Sequence, residues 1–181
     1  MTNIKSIDST KFNDVKLFKL ASHSDERGFF REVFNKEIQS FVGSEISFIQ
    51  DNESHSEYGV LRGLHFQKSP SEQSKLVRVS QGEIQDVVVD IRPESDTYGQ
   101  WESFMLSADD NRCLFIPRGF AHGFLVLSQN AIVNYKVDNY YDSKSDSGIL
   151  YNDKTLNIEW KLSDQDIIIS DKDKQFPGFK K

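Results

Sequence analysis

Short runs of apolar and β-branched residues recur along the middle of the chain, and polar turn segments separate them. Glycine and proline mark several of these turns, for example at Gly82 and between residues 93 and 99. Apolar positions at helical spacing occur only weakly, over 36–42 and near the C-terminus. Many short strands without alternating helices favour an all-β sandwich or barrel of antiparallel strands, with short peripheral helices. Strands are predicted at residues 46–50, 60–66, 75–80, 83–91, 101–106, 113–116, 123–127 and 131–137.

Alternation within three of these strands places ionisable side chains on faces that could be buried. Tyr135 lies on the apolar face of 131–137, Lys75 shares a face with Val77, and His65 lies opposite Leu64. If these are inner faces, a histidine, a lysine and a tyrosine project into one cavity. Such groups are costly to bury unless they are paired, so their convergence predicts a site. The pattern alone also allows a structural histidine, a lysine reaching solvent at a rim and a core tyrosine bonded to backbone.

Composition narrows the class of protein. The 181 residues contain no Pro/Gly/Ser-rich linker, which predicts a single domain over residues 1–181. The formal charge of −6 is spread along the chain rather than gathered in a tail. A basic face for phosphate backbones is therefore not expected, which argues against nucleic acid as the partner. A small phosphorylated ligand needs only a few local cations and remains compatible with this charge.

The expected location is the cytoplasm. Cys113 is the only cysteine, so no intrachain disulfide can form and a reducing compartment is the simpler interpretation. Charged residues interrupt the first twenty positions, which does not fit a signal peptide. No apolar run approaches the roughly 20 residues that a membrane span requires, so no membrane partner is expected.

One octet carries a fold signature. Residues 117–124, Pro-Arg-Gly-Phe-Ala-His-Gly-Phe, resemble the second conserved motif of the cupin superfamily, in which a tight turn precedes an inward-pointing histidine, here His122. This resemblance implies a cupin-type antiparallel β-barrel, a jelly roll. Metal-binding cupins carry His-x-His in their first motif, whereas this chain has His65-Phe66-Gln67, followed by Lys75. Glutamine is a poor ligand for a catalytic divalent metal, so we expect no metal and no cofactor.

A longer series of motifs runs over nearly the whole chain and includes Asp-Glu-Arg-Gly-Phe-Phe-Arg-Glu at 25–32 and Gly-Val-Leu-Arg-Gly-Leu-His-Phe-Gln at 59–67. Together these motifs are similar to those of the dTDP-4-dehydrorhamnose 3,5-epimerases. The resemblance implies an isomerase that inverts C3 and C5 of a dTDP-linked 4-keto-6-deoxyhexose. The other matching blocks are 50–54, 73–79, 82–92, 117–124, 135–136, 140–141, 152–153 and 170–173.

The resemblance also implies catalytic roles that suit proton removal beside a ketone. His65 matches the general base, and Asp173 matches the carboxylate that orients it. Lys75 matches the cation near the ketone oxygen, where it would stabilise enolate charge. Tyr135 matches the acid on the opposite face of the sugar. Without the resemblance Asp173 would be read as a solvated carboxylate, since Asp166 and Asp171 are equally available.

The same resemblance implies a set of binding residues. The set includes cations near the pyrophosphate or sugar and residues that make polar contacts. It also includes a histidine that contacts substrate and a tyrosine that stacks on thymine. From sequence alone, the tyrosine is equally compatible with packing on the barrel wall. At one nucleotide contact the chain has Asp146, a shorter acid, where the family usually has glutamate. The implied residues are Arg27, Glu32, Gln50, Asp51, Asn52, Arg62, Lys75, His122, Tyr141, Asp146 (the shorter acid) and Lys172.

One geometric condition follows from strand alternation. Arg62 and His65 lie three positions apart, which puts their side chains on opposite faces of a regular strand. Both can serve one pocket only if a bulge occurs at Gly63; otherwise one of them serves a neighbouring part of the site.

Several functions remain to be separated. A mono-epimerase acting at C3 or C5 alone shares nearly every motif, and related enzymes act on other nucleotide sugars. A metal-dependent cupin oxygenase would need a bound metal, and a sugar-nucleotide-binding module would have no chemistry. Family members are typically homodimers in which an N-terminal segment joins the partner's sheet, so a homodimer is expected here.

Overall fold

A computed structural model describes residues 3–180 and consists mainly of β-strands. The described residues contain one α-helix, α1 (Lys36–Val42), and two short 3-10 helices, Asp164–Asp166 and Asp173–Gln175. The strands are β1 (Ile4–Asp8), β2 (Lys16–Leu20), β3 (His23–Asp25), β4 (Gly28–Phe30), β5 (Gln50–Glu57), β6 (Val60–Gln67), β7 (Lys75–Gln81), β8 (Glu83–Asp90), β9 (Trp101–Ser107), β10 (Arg112–Ile116), β11 (Phe120–Val126), β12 (Asn130–Val137), β13 (Asp146–Gly148) and β14 (Ile168–Ile169).

Two larger sheets and one small hairpin account for these strands. The first sheet has the order β1-β2-β10-β7-β12-β5, and the second has the order β13-β6-β11-β8-β9. Strands β3 and β4 form a separate two-stranded hairpin. All pairings are antiparallel except that of β14, which runs parallel to β6. The all-β, antiparallel class predicted from the sequence is confirmed.

The two sheets pack face to face over a shared apolar core. Val77 and Val133 of the first sheet and Val88 and Phe124 of the second belong to one buried cluster. Side chains that alternate with these point away from the core and are covered by other segments. Helix α1 covers the outer face of the first sheet, and the C-terminal segment covers that of the second. Inward-facing positions of both sheets therefore border the same interior.

The predicted strands agree with the structure best where the sequence is apolar. Strands β6 to β10 and β12 lie within a residue or two of their predicted bounds, and β11 begins three residues earlier than expected. The strand predicted at 46–50 is wrong, because β5 begins only at Gln50. Strand β5 was missed because its sequence, QDNESHSE, contains no apolar alternation.

A bulge at Gly63, one of the two possibilities left open by strand alternation, is present. His122 of β11 pairs with His65 while Phe124 pairs with Arg62, so Gly63 and Leu64 of β6 lie opposite the single residue Gly123 of β11. The extra residue returns Arg62 to the face that carries His65. Gly63 has φ +128°, and a side chain on it would meet the Gly123 Cα at 2.5 Å. Only glycine allows the two strands to approach this closely.

No helix among residues 3–180 has both the length and the apolar character needed to cross a bilayer.

Candidate active site

A histidine–carboxylate pair lies on the inner face of the second sheet. His65 Nε2 is 2.9 Å from Asp173 Oδ1, and the other carboxylate oxygen accepts a hydrogen bond from the Gly63 N–H at 3.2 Å. Burial raises the pKa of Asp173, but the hydrogen bonds from His65, Gly63 and Ser170 outweigh it, so the pKa lies below its usual value. An ionised carboxylate only accepts hydrogen bonds, so in the neutral imidazole Nε2 carries the proton and Nδ1 is left with the lone pair.

The C-terminal segment delivers Asp173 to this histidine. The Asp173 N–H donates to the Ser170 hydroxyl at 3.1 Å, which fixes the turn that opens the last 3-10 helix. The Phe176 ring then packs edge-on against the imidazole, with centroids 5.6 Å apart. Residues 108 positions apart thus form one unit, in which Asp173 is buried while the His65 side chain remains 34% exposed.

Replacing Asp173 with asparagine should lower turnover by about tenfold or more. The amide cannot supply the negative charge that supports the imidazole, and a loss of one pKa unit in basicity corresponds to tenfold. The matched control is Asp171→Asn, because the Asp171 side chain is 94% exposed and, among residues 3–180, forms an ion pair with Lys174 alone. Steady-state kinetics of both variants test the role; equal effects of the two substitutions would contradict it.

Tyr135 enters the interior from the opposite sheet. It lies on β12, where it pairs with Val77 of β7 and Asn52 of β5, and it packs against the central core. Burial raises the pKa of its phenol, and the Arg62 guanidinium opposes this shift. The phenol therefore keeps its proton near neutral pH and can act as an acid.

A second histidine–carboxylate pair lies beside the first. His122 is directly opposite His65 in the β6–β11 ladder, and its Nε2 is 2.9 Å from Asp86 Oδ2 of β8. Both side chains are buried, unlike the partly open His65. The two imidazoles therefore project side by side from neighbouring strands.

Lys75 lies on the inner face of the first sheet, at the start of β7. Burial lowers the pKa of its ammonium to about 8, while the Asp86 and Asp146 carboxylates act to raise it. Lys75 also lines a cleft of about 470 Å³ that is bounded by Phe66 and Phe120. A cation at this place can attract an oxygen that gains negative charge.

Gln67, which replaces the second histidine of a metal-binding cupin motif, holds two loops together. Its amide donates to the Ser71 carbonyl at 2.6 Å and the Tyr140 carbonyl at 3.1 Å, and its oxygen accepts from the Asp142 N–H at 2.7 Å. Within residues 3–180, no three His, Cys, Asp or Glu side chains gather in a way that could hold a metal ion. The structure thus gives Gln67 a loop-bracing role.

Three of the predicted binding residues form a cluster beside β13. The Asp146 carboxylate accepts from the Tyr141 hydroxyl at 3.0 Å and also forms an ion pair with Lys172. Tyr141 itself is largely exposed. An exposed ring next to a cation suits a base and phosphates of a nucleotide.

Other predicted residues face the interior from β5 and β6. Gln50 and Asn52 point inward and are linked by a 2.8 Å hydrogen bond. The Arg62 guanidinium donates to the Ser56 hydroxyl at 2.9 Å. The structure therefore brings Gln50, Asn52 and Arg62 to the space between the sheets.

The structure does not bring three predicted binding residues to this space. Asp51 alternates to the outer face of β5, where it pairs with Lys136 at 2.6 Å. Glu32 lies before α1 and accepts a hydrogen bond from Asn35. Arg27 lies on the β3–β4 hairpin, is 84% exposed and bonds only to Asp25 among the described residues.

Asp86 is the residue that sequence reasoning missed. It was part of a matching block, but no role was assigned to it. A signal was present, because a carboxylate on the same strand face as Ile84 and Val88 is unusual and requires a partner.

Comparison with known proteins gives consistent matches. A family model described as dTDP-4-dehydrorhamnose 3,5-epimerase matches residues 9–181. The enzyme of that name from Shigella flexneri is 48% identical over 169 residues, 93% of this chain and 92% of that protein. A crystal structure of the Bacillus anthracis enzyme with TDP and PPi bound has a TM-score of 0.91 at 48% identity, covering 96% of this chain and 99% of that one. The Legionella pneumophila dTDP-6-deoxy-D-glucose-3,5-epimerase, in complex with dTDP-4-keto-L-rhamnose, has a TM-score of 0.91 at 44% identity, covering 96% and 92%.

Proposed function

Because the chain belongs to the dTDP-4-dehydrorhamnose 3,5-epimerase family, we propose that it converts dTDP-4-dehydro-6-deoxy-D-glucose to dTDP-4-dehydro-L-rhamnose. The reaction inverts C3 and C5, which flank the C4 ketone. The observation that carries the assignment of residues is that His65 and Tyr135 lie on facing inner surfaces of two different sheets. A sugar ring placed between them has a proton acceptor on one side and a proton donor on the other.

The first half of the reaction is proton removal by His65. Hydrogens on C3 and C5 are acidic because the C4 ketone stabilises the resulting enolate. His65 Nδ1 is the free nitrogen, since Nε2 is bonded to Asp173. Asp173 holds the ring orientation and stabilises the imidazolium as it forms, which is the same logic as in hydrolase triads.

The enolate is stabilised and then protonated from the other side. Lys75 supplies positive charge near the C4 oxygen, and His122 contacts the sugar from the neighbouring strand. Tyr135 donates its phenol proton to the carbon on the face opposite His65. Delivery from the opposite face inverts the centre. Solvent then takes the proton from His65 and returns one to Tyr135, so the same pair of groups serves C3 and C5 in turn.

The nucleotide end of the substrate is assigned to the cluster beside β13. Tyr141 provides an exposed ring for the thymine, and Lys172 provides a cation for the pyrophosphate, helped by Arg62. Asp146 joins Tyr141 and Lys172 through its carboxylate. In this chain Asp146, the shorter acid, therefore orients Tyr141 and Lys172.

We also propose a cupin-type jelly roll as one domain that works as a cytoplasmic homodimer. The shared core between the sheets and the cupin-like motif before His122 support the barrel. Phe29 and Phe30, 63% and 67% exposed, lie on a hairpin that pairs with no other strand among the described residues, which supports a partner contact. This contact would place Arg27 at the partner's nucleotide. Sedimentation velocity should give twice the mass of one chain; a monomer at assay concentration would refute the dimer.

The function is tested by incubation with dTDP-4-dehydro-6-deoxy-D-glucose in deuterated water. We expect deuterium at both C3 and C5 of a product with the L configuration, read by NMR and mass spectrometry. Label at one carbon alone would make the enzyme a mono-epimerase. Binding without any label would indicate a sugar-nucleotide-binding module, and activity that disappears on chelation and returns with iron would indicate a metal-dependent cupin.

A further inference from the structure

Asp86 lies wholly buried in the middle of β8, with apolar neighbours on the same face. One carboxylate oxygen, Oδ2, is 2.9 Å from His122 Nε2. The other, Oδ1, has no hydrogen-bond partner within the part of the chain that the structure describes. A buried carboxylate oxygen without a partner is unfavourable, so its retention at the site needs a reason.

The first effect of Asp86 falls on His122. A carboxylate accepts hydrogen bonds, so His122 presents Nε2–H to it. Burial lowers the pKa of His122 and the Asp86 charge only partly compensates, so the ring is neutral near pH 7. His122 Nδ1 then carries a lone pair, which can accept a hydrogen bond from a sugar hydroxyl.

The second effect falls on Lys75. Its ammonium forms no hydrogen bond to a residue in the range 3–180, and burial lowers its pKa to about 8. Asp86 is the leading carboxylate that opposes this shift, and Asp146 is the second. The charged and titratable groups around Lys75 are Asp86 from β8, Asp146 from β13, His122 from β11, and Lys68, Glu72 and Arg92 around the cleft.

We propose that Asp86 is a positioning residue for the epimerisation, which rests on the function proposed above. Its carboxylate fixes the direction in which His122 donates and accepts, and it keeps Lys75 positively charged beside the sugar ketone. The charge of the carboxylate is the source of this field, and no hydrogen bond from the described residues to Oδ1 screens it. Asp86 thus acts through His122 and Lys75 without touching substrate.

The substitution Asp86→Asn separates charge from shape. The amide is isosteric and its oxygen can still accept from His122 Nε2–H, but the negative charge is lost. Lys75 then loses its proton at lower pH. In the native enzyme, kcat should fall as pH rises through about 8. In the variant this alkaline limb should move down by about one pH unit, and kcat at pH 8 should fall about fivefold, with a smaller loss at pH 6.5.

The control is Asp110→Asn, which removes a partly buried carboxylate that is paired with Arg112, and neither of these residues lines the cleft of Lys75. It should leave the alkaline limb in place. An unshifted limb in the Asp86 variant, or an equal loss at every pH, would overturn the proposal. If the native enzyme itself incorporates no deuterium from solvent, the proposed function fails instead, so the two failures are distinguishable.

A second measurement needs no variant. The chain has four histidines, so ¹⁵N NMR of the native protein with labelled histidine can resolve each ring. His122 should show a protonated Nε2 and an unprotonated Nδ1. A proton on Nδ1 alone would overturn the proposal, whether or not the Asp86 variant folds.

Discussion

His65→Asn should lower kcat for epimerisation by at least about 100-fold, the scale that positioned acid–base catalysis contributes. Asparagine is similar in size to part of the imidazole and can still bond to Asp173, so the fold should be kept. Its amide cannot take up a proton near neutral pH, whereas an imidazole titrates close to it. Both proton abstraction and deuterium exchange at C3 and C5 should therefore stop together.

His55→Asn is the matched control for this change. His55 is exposed on the outer face of β5, on the opposite side of that strand from Asn52. This variant should retain native kcat and KM, measured by NMR of product formation. A His65→Asn enzyme that kept more than about a tenth of native turnover would remove His65 from the mechanism.

Tyr135→Phe should also reduce epimerisation by at least about 100-fold, but with a different signature. The substitution removes one oxygen, and that oxygen forms no hydrogen bond with another side chain or backbone group in residues 3–180. Little stability should therefore be lost. His65 can still remove and return a proton on its own face, so deuterium should enter C3 or C5 with the configuration retained.

This separation of exchange from inversion distinguishes the two roles. Tyr58→Phe provides the control, because Tyr58 is 48% exposed and lies outside the interior. The ratio of deuterium exchange to product formation, followed by NMR in deuterated water, measures the effect. A Tyr135→Phe enzyme that inverts its substrate at the native rate would show that another group supplies the proton.

The apolar strands and the inward positions of Lys75 and Tyr135 were predictable because alternation is strong where one face is buried. The bulge at Gly63 was one of two possibilities that the sequence left open, since Arg62 and His65 could share a face only with an extra residue between them, and the structure shows which of the two occurs. These predictions depend on the alternation of side chains within one strand, which the folded chain keeps.

Strand β5 could not be predicted for a reason connected with the site. Its inward positions, Gln50, Asn52, Ser54 and Ser56, are polar where a core strand would be apolar. Two of them, Gln50 and Asn52, are among the predicted binding residues. A strand that lines a polar cavity loses the hydrophobic signal by which strands are recognised.

Contacts between residues far apart in the sequence also could not be predicted. Only the folded chain shows that Asp173, rather than Asp171 or Asp166, reaches His65, because 108 residues separate the partners. The resemblance pointed to Asp173, and the turn that starts at Ser170 explains how it arrives there. Arg27 lies on an exposed hairpin outside the interior of its own chain, and a resemblance does not say which subunit's site a residue serves.

The most direct test of the account is a crystal structure of the protein with dTDP-4-keto-L-rhamnose bound. We expect the sugar ring between the two sheets, with a reacting carbon about 3–3.5 Å from His65 Nδ1 on one side and the Tyr135 hydroxyl on the other, as proton transfer to carbon requires. A sugar held outside this space, or one with both groups on the same face of its ring, would contradict it.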